Sequence, residues 1–147
     1  MNAAEADELV TKGLAALDRD QTHLALVCFE RAFEAERSPL VRSSLGFCLA
    51  AVRGDVEGGL ALCHGAIGEE PANALHYRHL GRVLVLAGRK DEALIVFRQG
   101  LRLGGDEGIM RELDRLGARK PPVIKALDRR HPLNKWLGII LDRLGFR

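Results

Sequence analysis

His76 and His79 stand three residues apart, close enough on a helix to share a face and to offer two nitrogens to a metal. A third ligand is not evident. Cys63 and His64 are the nearest candidates, but Cys63 falls at an apolar helical position, so the expectation is no metal and a pair of solvent-facing histidines. Cys28, Cys48 and Cys63 all lie within apolar helical patterns, where burial suppresses the thiolate that a nucleophile or a ligand requires. Their odd number argues against a disulfide framework, and they read as buried reduced thiols. Asp18 with Asp20, and Glu69 with Glu70, are paired carboxylates of the kind used in acid–base work, but both pairs fall at helix ends and read as caps. Gly104, Gly105 and Gly108 do not make a phosphate loop, because no strand precedes them and no Gly-Lys-Ser/Thr follows. The chain is expected to be no enzyme and to carry no cofactor.

The basic run Arg111, Arg115, Arg119, Lys120, Lys125, Arg129 and Arg130 is interrupted by Asp114 and Asp128, and no aromatic residue is interleaved for base stacking. Nucleic acid is therefore not the expected partner. The chain has 147 residues and a net charge of +2, but the charge is unevenly spread. Residues 1–36 hold three Lys or Arg against eight Asp or Glu, and residues 106–147 hold ten against six. Opposite ends of opposite sign can orient one molecule on another. The beginning of the sequence lacks a basic region followed by an apolar run, and no stretch approaches the ~18 apolar residues of a membrane span, so a cytoplasmic protein is expected.

These residues must be positioned by helices. Aromatic residues make up 5% of the chain while Ala, Leu and Gly abound, which suits helices packed through small side chains. The helices repeat. Ala25, Gly59 and Ala93 are separated by steps of 34, and the same step links Phe29, Cys63 and Phe97 as well as Ala32, Ala66 and Gly100. Gly13, Gly46 and Gly81 are 33 and 35 apart, so the middle unit has one extra residue before Gly54. Small residues let one helix lie close to another and the larger column fills the space between them.

Tyr77, Leu80, Gly81, Ala93 and Phe97 fall at the spacing of W-x2-L-G-x2-Y followed by A-x3-F, with Tyr77 for Trp and Leu84 for Tyr. The stretch Tyr77 to Gly105 thus resembles one tetratricopeptide repeat (TPR), and with its two echoes the resemblance covers residues 6–105. It implies an all-α solenoid, an α-α superhelix of three helix-turn-helix repeats at about 6–38, 39–71 and 72–105, closed by C-terminal capping helices. Departures stand at Lys12 in the Leu column, Arg42 in the Trp column and Gly59 in the Ala column.

The spacing predicts helices over 3–17, 22–36, 39–53, 56–69, 72–87, 91–103 and 106–117, with Asn2, Ser38 and Asp55 as N-caps. Residues 106–117 are read as a capping helix, and 118–147 as a linker followed by an amphipathic helix. In that last segment Leu133, Trp136, Leu137, Ile140, Leu141 and Leu144 form one apolar stripe, expected to dock on the neighbouring helices as part of the cap. The run beginning Arg119-Lys120-Pro121-Pro122 also resembles segments that follow TPR arrays in some bacterial proteins, which points to a bacterial chain.

By analogy with TPR proteins, the resemblance implies a protein-interaction scaffold that holds a peptide or helix in a concave groove lined by the first helix of each repeat. The partner-binding residues it implies are Val10, Leu14 and Leu17, then Ser43, Phe47 and Ala50, then Arg78, Arg82 and Val85. The two arginines suggest an apolar segment with an acidic group, although Val10 and Leu14 stand where a carboxylate clamp would have a cation and an amide. Two alternatives share the same features. One is a self-assembling structural module, a homodimer through the groove or the C-terminal helix, and the other a TPR-type secretion chaperone.

Overall fold

The computed structural model describes residues 1–104, 106–117, 139–140 and 142–145. Among these the chain forms seven helices and no strand: α1 (Ala3–Asp18), α2 (Thr22–Ala35), α3 (Pro39–Arg53), α4 (Val56–Glu69), α5 (Ala74–Leu86), α6 (Lys90–Leu101) and α7 (Glu107–Arg115). The chain divides into two compact units, residues 1–113 and 114–147. No described helix is long and apolar enough to cross a membrane.

Local chemistry sets the helix starts. The Asn2 side chain accepts from the Glu5 amide while Glu5 reaches back to the Asn2 amide, a reciprocal cap that satisfies two otherwise unpaired donors. Ser38 caps α3 ahead of Pro39, whose missing N–H is no loss in a first turn. Asp55 accepts from the Gly58 amide, and Asn73 from that of Leu75. The α3–α4 turn is made by Gly54, whose φ of +68° is one that few residues other than glycine adopt.

In the first unit α1 packs with α2, α3 with α4 and α5 with α6, and the hairpins are joined by α2 on α3, α3 on α5 and α4 on α5. The repeat columns make this core. Ala25, Phe29 and Ala32, Cys63 and Ala66, and Ala93 and Phe97 are all inaccessible to solvent. In the outer two hairpins a phenylalanine plugs a notch left by a glycine. The Phe29 ring lies where a Cβ on Gly13 would have to be, 2.7 Å away, and the Phe97 ring stands likewise against Gly81.

The middle hairpin solves the same packing differently. A Cβ on Gly59 would lie 2.6 Å from the Gly46 carbonyl oxygen and one on Gly46 2.8 Å from that of Gly59, so α3 and α4 meet backbone to backbone. Cys63 in place of phenylalanine and Gly59 in place of alanine are therefore one coupled departure: closer helices leave no room for the larger pair. The extra residue of the middle unit lengthens a helix rather than a loop. α3 runs seven residues past Gly46, whereas α1 and α5 run five past Gly13 and Gly81.

All three cysteines are free and buried, and burial pushes the Cys48 and Cys63 thiols up to about 12, which removes thiolate chemistry at neutral pH.

In the second unit the end of α7 gives way to Gly117 at φ +67°, and Leu144 N–H donates to the Ile140 carbonyl at 3.0 Å. Ile139 and Leu144 are exposed. The predicted linker 118–122 and Leu133, Trp136, Leu137 and Leu141 of the tail stripe lie outside the described residues, as do the basic residues from Arg119 to Arg130.

Candidate protein-interaction face

The first helices of the hairpins, α1, α3 and α5, present the predicted partner-binding residues, but the three helices do not present them alike. On α1, Val10, Leu14 and Leu17 are half-buried and remain open to contact. On α3 the equivalent Ser43, Phe47 and Ala50 are buried. The difference comes from α5, which lies against α3 and closes over that row.

Two histidines make this joint. The sequence suggested solvent-facing imidazoles, and the structure corrects it: His76 is 0% and His79 1% exposed. The Ser43 hydroxyl stands 2.8 Å from His76 Nδ1, and His76 Nε2 stands 2.8 Å from the Glu70 carboxylate. A carboxylate oxygen only accepts, so Nε2 donates; in the neutral imidazole Nδ1 then accepts from the Ser43 hydroxyl. Serine, imidazole and carboxylate in a row match the order of groups in a hydrolytic triad, yet the Ser43 hydroxyl is sealed from solvent and no substrate carbonyl can reach it. The row holds two helices together.

His79 stacks on Phe47 with ring centroids 5.9 Å apart, and its Nε2 lies 3.4 Å from the Ser44 hydroxyl. Its Nδ1 has no hydrogen-bond partner among the described residues. Burial first, then the charges of Arg78 and Arg82 and the neighbouring His76, hold its pKa well below the ordinary 6.5, so it is neutral. The metal reading finds no support in this geometry, since His76 is engaged at both nitrogens.

Arg78 and Arg82 stand one turn apart on α5 and are each matched by a carboxylate on the segment that follows α6. Arg78 Nη1 lies 3.3 Å from Asp106, which also caps α7 by accepting from the Ile109 amide at 3.0 Å. The guanidinium of Arg78 lies over Gly108, in space that any side chain there would fill. Arg82 pairs with Glu112 at 3.3 Å and sits 3.7 Å above the Phe47 ring. Ile109, fully buried, packs where Gly100 has no side chain. α7 is thus fixed to the third hairpin by one apolar anchor and two ion pairs. Val85, the last predicted contact, is half-buried.

Neither a protein-family model nor a curated protein matches the sequence. Solved structures do. The TPR domain of Sgt2 from Aspergillus fumigatus superposes with a TM-score of 0.57 at 20% identity, covering 89% of this chain and 93% of that one. The second TPR domain of human RPAP3, solved with the HSP70 peptide SGPTIEEVD, gives 0.57 at 18% identity over 80% of this chain and 98% of that one. The fold is that of tetratricopeptide repeats. An O-GlcNAc transferase from Thermobaculum terrenum also matches, with a TM-score of 0.58 at 20% identity over 69% of this chain, but the match spans only 19% of the transferase.

Within the TPR frame the departures have local functions. Arg42, in the Trp column of the second repeat, reaches Glu69 at 2.7 Å, and Tyr77 in the same column of the third donates its hydroxyl to the Pro71 carbonyl at 2.7 Å. Arg42 ties α3 to the end of α4 within its own hairpin, and Tyr77 ties α5 to the residues just past that same helix. Sequence reasoning missed the Ser43–His76–Glu70 row and the acidic partners of the arginines. The repeat step does not mark the latter, since Asp106 and Glu112 lie 28 and 30 residues from the arginines they pair with rather than 34.

Proposed function

We propose that the chain is a protein-interaction module that holds a peptide or a helix of a partner on the concave face of its TPR hairpins. The observation that carries this reading is the row Val10, Leu14 and Leu17 on α1. These are apolar side chains left half-open on the face of the first helices, while every large side chain of the repeat columns is buried. Val85, Arg78 and Arg82 continue the face on α5. Ser43, Phe47 and Ala50 form its floor between them, set behind the surface. The RPAP3 domain bound to an HSP70 peptide shows the same fold in use for peptide capture, and it supports the reading by analogy. No reaction is proposed, because the nucleophile-like groups are sealed in packing positions.

Affinity capture from the native host tests this, with Leu14→Arg as the comparison. Loss of a captured protein in the variant, with helix content unchanged by circular dichroism, is the expected result. Capture of the same protein at the same yield by the variant would remove the α1 face from the binding site.

A further inference from the structure

The charges on this face are not equally available. Arg78 and Arg82, on which an acidic partner would rely, are each neutralised within the chain, by Asp106 and Glu112. Arg42, Arg53 and Arg89 are likewise paired, with Glu69, Glu30 and Glu92. Two carboxylates of α1 differ. Asp7 and Asp18 are exposed and have no side-chain partner among the described residues. On a helix of 3.6 residues per turn, residues 7, 14 and 18 fall within a narrow arc, with 10 and 17 beside it on the side of the core. Leu14 is therefore flanked along its own line by Asp7 and Asp18, with Val10 and Leu17 adjoining. Lys12 lies on another side and is paired with Glu8 at 2.8 Å. Arg19 is a nearby cation, but it stands between Asp18 and Asp20 in the turn, which keeps that end of the helix net negative.

An apolar row edged by unpaired carboxylates is complementary to a segment that is apolar on one side and cationic at its margins. We infer that the first-repeat end of the face selects a cationic amphipathic segment of a partner protein, rather than an acidic one. The inference rests on the interaction reading above and names the chemistry of its partner. An acidic segment would meet Asp7 and Asp18 directly, and at the other end it would have to displace Asp106 and Glu112 from arginines with which they are already paired. A cationic segment meets neither obstacle. Its apolar side covers Val10, Leu14 and Leu17, and Lys or Arg at its edges reaches Asp7 and Asp18.

The test uses the full chain and two dye-labelled helical peptides of roughly 15 residues with the same leucine stripe, one carrying Lys and the other Glu at the remaining positions. Fluorescence anisotropy should show the Leu/Lys peptide bound about tenfold more tightly than the Leu/Glu peptide, with the preference shrinking as salt is raised. Asp7→Lys/Asp18→Lys should erase or invert it. Glu34→Lys/Glu57→Lys, which reverses exposed carboxylates on α2 and α4, should leave it unchanged. Equal or tighter binding of the Leu/Glu peptide, lost in Leu14→Arg, would overturn the charge inference and leave the interaction face standing. An equal loss of the preference in the Glu34/Glu57 variant would also overturn it, since diffuse surface charge would then suffice. Binding of either peptide that Leu14→Arg does not weaken, or no binding of either, would remove the interaction face itself.

Discussion

Val10 and Ser43 occupy the same column of successive repeats, as do Leu14 and Phe47, yet the first of each pair is open and the second closed. Helix propensity and repeat position are shared, so neither explains the difference. What differs is the next helix along. α3 has α5 laid against it, with His76, His79 and Arg82 reaching Ser43, Ser44 and Phe47, whereas the first hairpin joins the second through α2 on α3. In a repeat protein, burial at one position is thus a property of the interface to the neighbour, and one scaffold yields both a sealed joint and an open face.

The strongest way to break this comparison is truncation at equivalent positions. Phe47→Ala removes a buried ring together with its contacts to His79 and Arg82 and should cost about 3–5 kcal/mol in equilibrium unfolding. Loss of less than about 1 kcal/mol would mean that the joint is not closed. Next in size is the backbone contact of the middle hairpin. Gly59→Ala puts a methyl group against the Gly46 carbonyl, where nothing flexible can yield, and should cost about 1–3 kcal/mol despite its better helix propensity. A stabilised variant would show α3 and α4 to be further apart than described.

The sealed joint should also respond to acid. His79 is neutral when folded because burial depresses its pKa, whereas the unfolded chain takes up the proton near the ordinary 6.5. The stability it supports is therefore complete above 6.5 and lost progressively as pH falls below it, with a slope of up to about 1.4 kcal/mol per pH unit from this group. Denaturation of His79→Gln should lack that component, and parallel pH profiles for the two proteins would contradict the burial of a neutral imidazole. The smallest effect belongs to the open face. Leu14→Ala should change stability by about 1 kcal/mol or less, because a half-exposed side chain leaves little cavity.

The repeat columns made the helices and most of the core legible in the sequence. A step of 34 carried by glycine, alanine and phenylalanine reflects packing within each hairpin, which is local along the chain. The histidines were misjudged for the opposite reason. His76 and His79 look polar and exposed when α5 is read alone, and only the approach of α3, with Ser43 and Ser44 as small hydroxyl partners, makes their burial affordable. Arg78 and Arg82 show the same limit. Their position on the first-helix face was readable, but their neutralisation depends on where α7 comes to lie, and that is set by Gly108 beneath Arg78 and Ile109 against Gly100. The half-open state of Val10, Leu14 and Leu17 follows the amphipathic pattern of α1, whose opposite side packs on α2.

Thiol reactivity at one shared column tests the open-and-closed account most directly. Val10→Cys and Ser43→Cys place a small side chain at equivalent sites, and the three native cysteines are buried. The account predicts that Val10→Cys reacts with Ellman's reagent in the native protein, while Ser43→Cys reacts only at the rate of unfolding. Equal native-state reactivity at the two positions would contradict it.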